Sequence, residues 1–198
     1  MGTKIYLIRH GEIGDGEERR YNGQRDVPLS DRGIDQVMML SEFLRNTGLQ
    51  AVYTSDLGRA LRSAEIIART HGVQPVIEKG LKEYSFGEWE GMTFSEIEKK
   101  YPDAFSAWAA NPVMFSPVGG ESTEDVRKRA IHAFEKIICR HQGENIAIVS
   151  HGGVIRIILC ELLGIPLENL FRIEQNFAAL NIIEMWDYPV IKLMNYIV

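Results

Sequence analysis

The chain has 198 residues, 45% of them hydrophobic and 25% charged, which suits one globular domain with a full-sized core. Its 27 acidic residues against 22 Lys and Arg give a formal net charge of -5, which argues against nucleic acid or an anionic membrane surface as the main partner, so any anion site must be locally basic. Two cysteines make no disulfide framework, the amino terminus lacks the apolar stretch of a signal peptide, and no uncharged run reaches the roughly 18 residues of a membrane span, which together indicate a reducing cytoplasm. Met1-Gly2 begins like a myristoylation signal, but Tyr6 stands where Ser or Thr is required.

Strand-like and helix-like patterns alternate along the chain with no repeat, low-complexity tract or linker, so residues 1–198 read as a single α/β domain. The expected architecture is a three-layer αβα sandwich with a mostly parallel central sheet and an antiparallel C-terminal strand. Ile5-Tyr6-Leu7-Ile8 is a short apolar run that predicts a buried strand, followed by a polar loop over residues 11–29. Ser30 is placed to cap a helix with Val37, Leu40, Phe43 and Leu44 on its inner face, stopped by Gly48. Ala51-Val52-Tyr53-Thr54 is a second strand. Ser55 or Asp56 caps the next helix, with Ala60, Leu61, Ala64, Ile67 and Ala68 at helical spacing and Gly72 after it.

Residues 80–120 are irregular, with Pro102, Pro112, Pro117 and Gly119-Gly120 around short helices near 94–100 and 103–110. Such an excursion makes a lid or a substrate wall. Ser122 to Asp125 resembles a capping box before a long helix with Val126, Ala130, Ala133, Phe134, Ile137 and Ile138 inward, ending at Gly143. Ile146 to Ser150 is another strand, a helix spans about 153–163, and two β-rich stretches, 178–186 and 190–197, flank a turn at Asp187-Tyr188-Pro189. Cys139 and Cys160 both fall in helices.

Chemistry-bearing residues collect at two strand ends. Arg9-His10-Gly11 follows the first strand, and His151-Gly152-Gly153 follows Ile146 to Ser150. In an open α/β sheet, ligands bind outside the carboxyl ends of the strands. Phosphoryl transfer needs an in-line nucleophile, cations on the nonbridging oxygens and an acid for the leaving oxygen. His10 can attack through one ring nitrogen if a hydrogen bond to the other fixes the tautomer. Arg9 and Arg59 can give bidentate contacts to phosphate oxygens, Arg59 from the first turn of a helix whose dipole favours an anion. His151 is placed as a further donor, and Gly152-Gly153 lets the backbone approach closely. Glu83 and Glu88 are the carboxylates nearest to aromatic cover, where a raised pKa would suit acid catalysis.

Five blocks in this order carry a resemblance: Leu7 to Glu12; Gly23-Gln24-Arg25-Asp26-Val27-Pro28-Leu29-Ser30 before Gly33; Ser55-Asp56-Leu57 with Arg59-Ala60; Glu83 with Phe86-Gly87 and Trp89-Glu90-Gly91; and Val149 to Gly153. Over nearly its whole length the chain resembles the histidine phosphatase superfamily, the branch that includes cofactor-dependent phosphoglycerate mutases and many small phosphatases. The resemblance implies His10 as nucleophile, Arg9, Arg59 and His151 as the phosphate pocket, Glu83 rather than Glu88 as proton donor, and Asn22, Gly23 and Gln24 at the substrate entrance. The short stretch between acid and second histidine, with Lys99-Lys100 its only close basic pair before the long helix, is nearer to phosphatases than to mutases. The pattern is most similar to alpha-ribazole phosphatases of cobalamin assembly and to broad-specificity phosphatases. Two departures fall in the first loop: Ile13 replaces a hydroxyl residue, and Gly16 stands where many relatives have asparagine.

The implied activity is hydrolysis of a small phosphomonoester through a phosphohistidine, with no cofactor or metal; the alternatives are mutase-type phosphoryl transfer and a noncatalytic phospho-ligand-binding module. The sequence has no Gly-x-x-x-x-Gly-Lys-Ser/Thr loop, and Gly14-Asp15-Gly16 lacks the third glycine of a dinucleotide site. The sixth residue after each cysteine is Asn145 or Pro166, not the arginine of a cysteine phosphatase. His10, His151 and Glu83 could bind zinc, but two arginines beside them would repel a cation. Arg19, Arg20 and Arg25 read as a solvated loop face, Arg62 and Arg156 as surface or ion-pair residues, Trp89 and Trp108 as wall or core packing, and His71, His132 and His141 as surface residues.

Overall fold

The computed structural model describes residues 2–14 and 20–198. The elements run β1 (Thr3–Arg9), α1 (Asp31–Leu44), β2 (Ala51–Thr54), α2 (Gly58–His71), β3 (Pro75–Ile77), α3 (Phe94–Lys100), α4 (Pro102–Ala110), α5 (Thr123–Arg140), β4 (Asn145–Ser150), α6 (Gly152–Leu163), β5 (Leu180–Met185) and β6 (Pro189–Tyr196). They build a six-stranded sheet of order β3-β2-β4-β1-β5-β6. The pairs β3·β2, β2·β4 and β4·β1 are parallel, whereas β5 runs antiparallel to both β1 and β6.

The period of two along β1 sorts its side chains into two cores. Ile5 and Leu7 join Ile146, Ile148 and the inner faces of α5 and α6 on one side. Tyr6 and Ile8 join Val52, Ala147, Val149 and the inner faces of α1 and α2 on the other. Both faces of the central strands are therefore covered, which explains their continuous apolar runs. Three layers follow, as expected from the alternating pattern.

Some caps and glycine stops act locally as the sequence predicts, whereas α1 ends at Leu44 with Arg45 as its cap, short of the Gly48 expected to stop it. Ser30 Oγ accepts from the Gly33 N–H, and Ser122 and Asp125 form a reciprocal capping box. Gly72 and Gly164 close α2 and α6 in the left-handed conformation. Four further expectations need correction. Phe43 is 50% exposed, because α1 turns its Val37, Leu40 and Leu44 face to the core and leaves Phe43 outside it. Leu57, not Ser55 or Asp56, occupies the N-cap of α2 and gives no side-chain cap bond. The short edge strand β3 was not anticipated, since Pro75-Val76-Ile77 is too brief to display a period. The long helix ends at Arg140, with His141 as its cap, so Gly143 lies beyond it.

The crossovers decide where a ligand can sit. After β1 the chain leaves for α1 on one face of the sheet; after the adjacent β4 it leaves for α6 on the other. The carboxyl ends of β1 and β4, with Arg9 opposite Ser150, therefore border a crevice at the topological switch point. No described helix is long and apolar enough to cross a membrane.

Candidate active site

His10 and His151 leave β1 and β4 side by side, with ring centroids 5.1 Å apart and exposures of 3% and 0%. The backbone around His10 is pinned from both neighbours: its N–H donates to Ser150 O at 3.0 Å, and its carbonyl accepts from Ala178 N at 3.0 Å. Ala178 adopts a left-handed backbone, φ 54°, an unusual conformation for a residue with a Cβ, directly beside the site. The ring nitrogen Nδ1 of His10 donates to Gly11 O at 2.7 Å, so Nε2 keeps the lone pair. Burial, and then the charges of Arg9 and Arg59, hold the His10 pKa well below its ordinary value, with the Gly11 bond opposing them. The imidazole is therefore neutral at physiological pH.

His151 is lowered in the same direction by burial and then by His10, Arg59 and Arg9. Its Nε2 pairs with Ser55 Oγ at 2.7 Å, while Nδ1 has no hydrogen-bond partner among the described residues. A buried ring nitrogen in that condition is completed by a ligand or water. Ser55, read from the sequence as a helix cap and as part of one motif block without a role of its own, thus belongs to the site.

Two guanidinium groups complete the basic centre in an acidic protein. Arg59, 2% exposed on the first turn of α2, donates through Nη1 to Arg25 O at 2.7 Å and through Nη2 to Gly23 O at 2.5 Å. Arg9 donates through Nη1 to Gln175 O at 2.6 Å, and its guanidinium lies 3.9 Å from the centroid of the Phe177 ring, a cation–π contact. These bonds orient the planar groups without neutralising them.

Glu83 reaches the same place from the irregular segment. Its carboxylate accepts from Tyr84 N at 3.0 Å and from Gly153 N, in the first turn of α6, at 3.2 Å. A Cβ on Gly153 would stand 2.5 Å from Glu83 Oε1 and 2.5 Å from a Tyr84 ring carbon, so the close approach needs glycine there. Behind Glu83, Arg129 of α5 donates to the carbonyls of Gly80 at 3.0 Å, Lys82 at 2.6 Å and Glu83 at 2.9 Å, and grips Glu121 at 2.7 and 2.8 Å. Glu121 in turn accepts from Ser85 N. One arginine thus ties the Glu83 segment to the helix core. Glu88 is exposed and holds no comparable position.

The remaining predicted positions divide. Gly23 supports Arg59, and Gln24 Nε2 donates to Glu83 O at 3.1 Å, so both act on the site from behind. Asn22 is buried. Gly152 N-terminates α6 between Arg9 and Arg156, whose Nε and Nη1 lie 3.3 and 3.2 Å from where its Cβ would be. Ile13 makes an isolated bridge to Leu29, whereas Gly16 and Arg19 lie outside the described residues. Arg20 bonds Gly91 O and Glu96, Arg25 is exposed, and Arg62 pairs with Glu65.

Two sequence readings fail here. Arg156 is half-buried in the wall of a cavity beside Glu83 rather than on the surface, because four residues on from Gly152 its side chain returns to the same helix face. His141 is not a free surface residue: it bridges the buried Tyr53 hydroxyl at 2.8 Å and Glu144 at 2.6 Å. The cavity, of about 280 Å³, has Glu83 and Arg156 at its wall, and Tyr84, Phe86, Trp89, Trp108, Phe115 and Phe171 line most of the rest. Trp89, 3% exposed, stacks on Phe115, so the wall packing expected of it holds.

Comparison with known proteins identifies the family. Residues 5–196 match the histidine phosphatase superfamily (branch 1). Phosphoserine phosphatase 1 of Hydrogenobacter thermophilus is 32% identical over 183 residues, covering 92% of this chain and 87% of that protein. The adenosylcobalamin/alpha-ribazole phosphatase of Salmonella typhimurium is 28% identical over 195 residues, covering 97% of this chain and 96% of that protein. Among solved structures, Bacillus stearothermophilus YhfR superposes with a TM-score of 0.92 at 34% identity, over 99% of this chain and 98% of that one. The chain belongs to the histidine phosphatase superfamily, branch 1, among its phosphatases.

Proposed function

We propose that the protein is a metal-independent phosphomonoesterase that works through a phosphohistidine at His10, with residues 1–198 acting as one domain in the cytoplasm. The observation that carries this reading is the His10 ring: Nδ1 is committed to Gly11 O, and burial with two nearby guanidiniums keeps the ring neutral. Nε2 then attacks phosphorus, and the bond to the leaving oxygen breaks as that oxygen takes a proton from Glu83. Arg9, Arg59 and the Nδ1–H of His151 offset the charge on the nonbridging oxygens, as preorganised donors do without reorganising. In the second step, water attacks the phosphohistidine, its proton passes to Glu83, and His10 and inorganic phosphate are released. Arginines supply the positive charge that a metal ion would otherwise bring.

The substrate is a small phosphorylated metabolite whose alcohol occupies the aromatic cavity. Alpha-ribazole 5'-phosphate is the first natural ester to test, because its flat base suits aromatic walls and a relative of this chain carries that substrate in its name. Phosphoserine is the second, on the name of another relative. The test is phosphate release by metal-stripped protein and by His10→Ala across these esters, 3-phosphoglycerate, sugar phosphates, nucleotides and 4-nitrophenyl phosphate. Release that disappears with His10, and an acid-labile labelled protein on quenching, are expected. Turnover that survives His10→Ala would refute the phosphohistidine.

A further inference from the structure

The cavity beside Glu83 is lined mostly by aromatic and apolar side chains, and its one cation among the described residues is the Arg156 guanidinium. Arg156 donates through Nε to Ile173 O at 2.7 Å, which fixes the plane of the group. Among the described residues it forms no ion pair within 4.0 Å. The arginine that holds the other wall residues is satisfied: Arg129 is held by Glu121 and three carbonyls. The two cavity carboxylates are also engaged, Glu83 by two backbone N–H groups and Glu121 by Arg129 and Ser85 N. Burial depresses the Arg156 pKa, and the charges of Glu83, Tyr84 and Glu174 offset it only from a distance. A half-buried cation without an anion in contact is costly unless something anionic completes it.

Its position says what that anion belongs to. Nη1 of Arg156 and Nε of Arg9 lie within 3.3 Å of one point above Gly152 Cα, so only the width of a side chain separates them. An ester whose phosphate meets Arg9 and whose alcohol enters the aromatic cavity must pass Arg156 close to the scissile oxygen. We propose that Arg156 is a specificity determinant that binds a carboxylate on the leaving alcohol, so that the preferred substrates are phosphomonoesters of flat, apolar alcohols carrying such a group near the ester oxygen. This rests on the phosphatase reading above. On this inference the alpha-ribazole ester, a nucleoside phosphate without a carboxylate, uses only the aromatic walls and ranks below carboxylated esters, phosphoserine among them.

Phenyl phosphate and 3-carboxyphenyl phosphate test it, because they share a ring and their phenols have nearly the same acidity. The readout is the ratio of kcat/KM for the carboxylated ester over its parent, which cancels any common loss. We expect a ratio of about tenfold or more in the wild type, carried mainly by KM, from one charge-assisted contact. In R156Q it falls to near one, and in R156K, which keeps the charge without the planar fork, to an intermediate value. A wild-type ratio of one, or a ratio unchanged in R156Q, overturns the inference while leaving the phosphatase reading intact. If R156Q fails to fold, an unchanged ratio in R156K does the same. Phosphate release from neither ester by the wild type removes both.

Discussion

Replacing Ser55 by Ala probes the site through a single hydrogen bond. Ser55 and His151 are both 0% exposed, and the 2.7 Å contact between Oγ and Nε2 is the bond that commits one side of the imidazole. In the tautomer the proposed mechanism uses, the hydroxyl donates to Nε2 and the proton stays on Nδ1, the nitrogen without a partner among the described residues. Ser55→Ala leaves Nε2 buried without a partner, which costs about 1–3 kcal/mol of folding stability. For a chain of this size that lowers Tm by about 2–12 °C. Catalysis should suffer separately, because the ring can now hold its proton on either nitrogen and rotate away from the phosphate. A donor misplaced by about 1 Å costs on the order of 100-fold, so a 10- to 100-fold fall in kcat/KM for 4-nitrophenyl phosphate is expected. Thermal melts and steady-state assays on the same preparation give both numbers, and Ser55→Cys, a weak donor of similar shape, should fall between. A normal Tm loss with kcat/KM within twofold of wild type would refute the idea that Ser55 sets the working tautomer of His151.

Two further outcomes follow from the same geometry. His10 and His151 both have folded pKa values below the ordinary 6.5, so at acidic pH the unfolded chain binds protons that the folded chain does not. Their contribution is complete above about pH 6.5 and is lost as pH falls below it, by up to about 1.4 kcal/mol per unit for each histidine. Urea midpoints measured from pH 7.5 to 5 should decline, and less steeply in His10→Asn; a flat profile would contradict neutral burial of the pair. Arg129→Met should destabilise by about 2–4 kcal/mol and loosen Glu83, since it removes the bonds to Gly80, Lys82 and Glu83 together with the Glu121 pair. Its activity should fall more on alkyl phosphates, which need a proton donor, than on 4-nitrophenyl phosphate. Equal losses on the two would make Arg129 purely structural.

Most of the fold could be read from local signals because those signals are local in origin. A capping box at Ser122 and Asp125, glycines at 72 and 164, and the apolar run of β1 each act over a few residues, and each appears where expected. Phe43 misled because the pattern of a helix face does not say how wide the buried stripe is. Ser55 misled because a serine before a helix is a good cap by composition, and only β4, arriving from about a hundred residues away, supplies the imidazole it serves instead.

For function, the sequence by itself determined which groups are available: two histidines and an arginine at strand ends, a second arginine on a helix turn, and a carboxylate within an aromatic stretch. Tertiary structure decided what each of them is. Neutrality of His10 comes from burial and from two charges brought by other elements, and commitment of its Nδ1 from a backbone carbonyl. Arg156 changed from a surface residue to a cavity cation because α6 and the segment after it fold against the aromatic wall. Desolvation and charge proximity are sums over neighbours distant in the chain, and no window of sequence contains them.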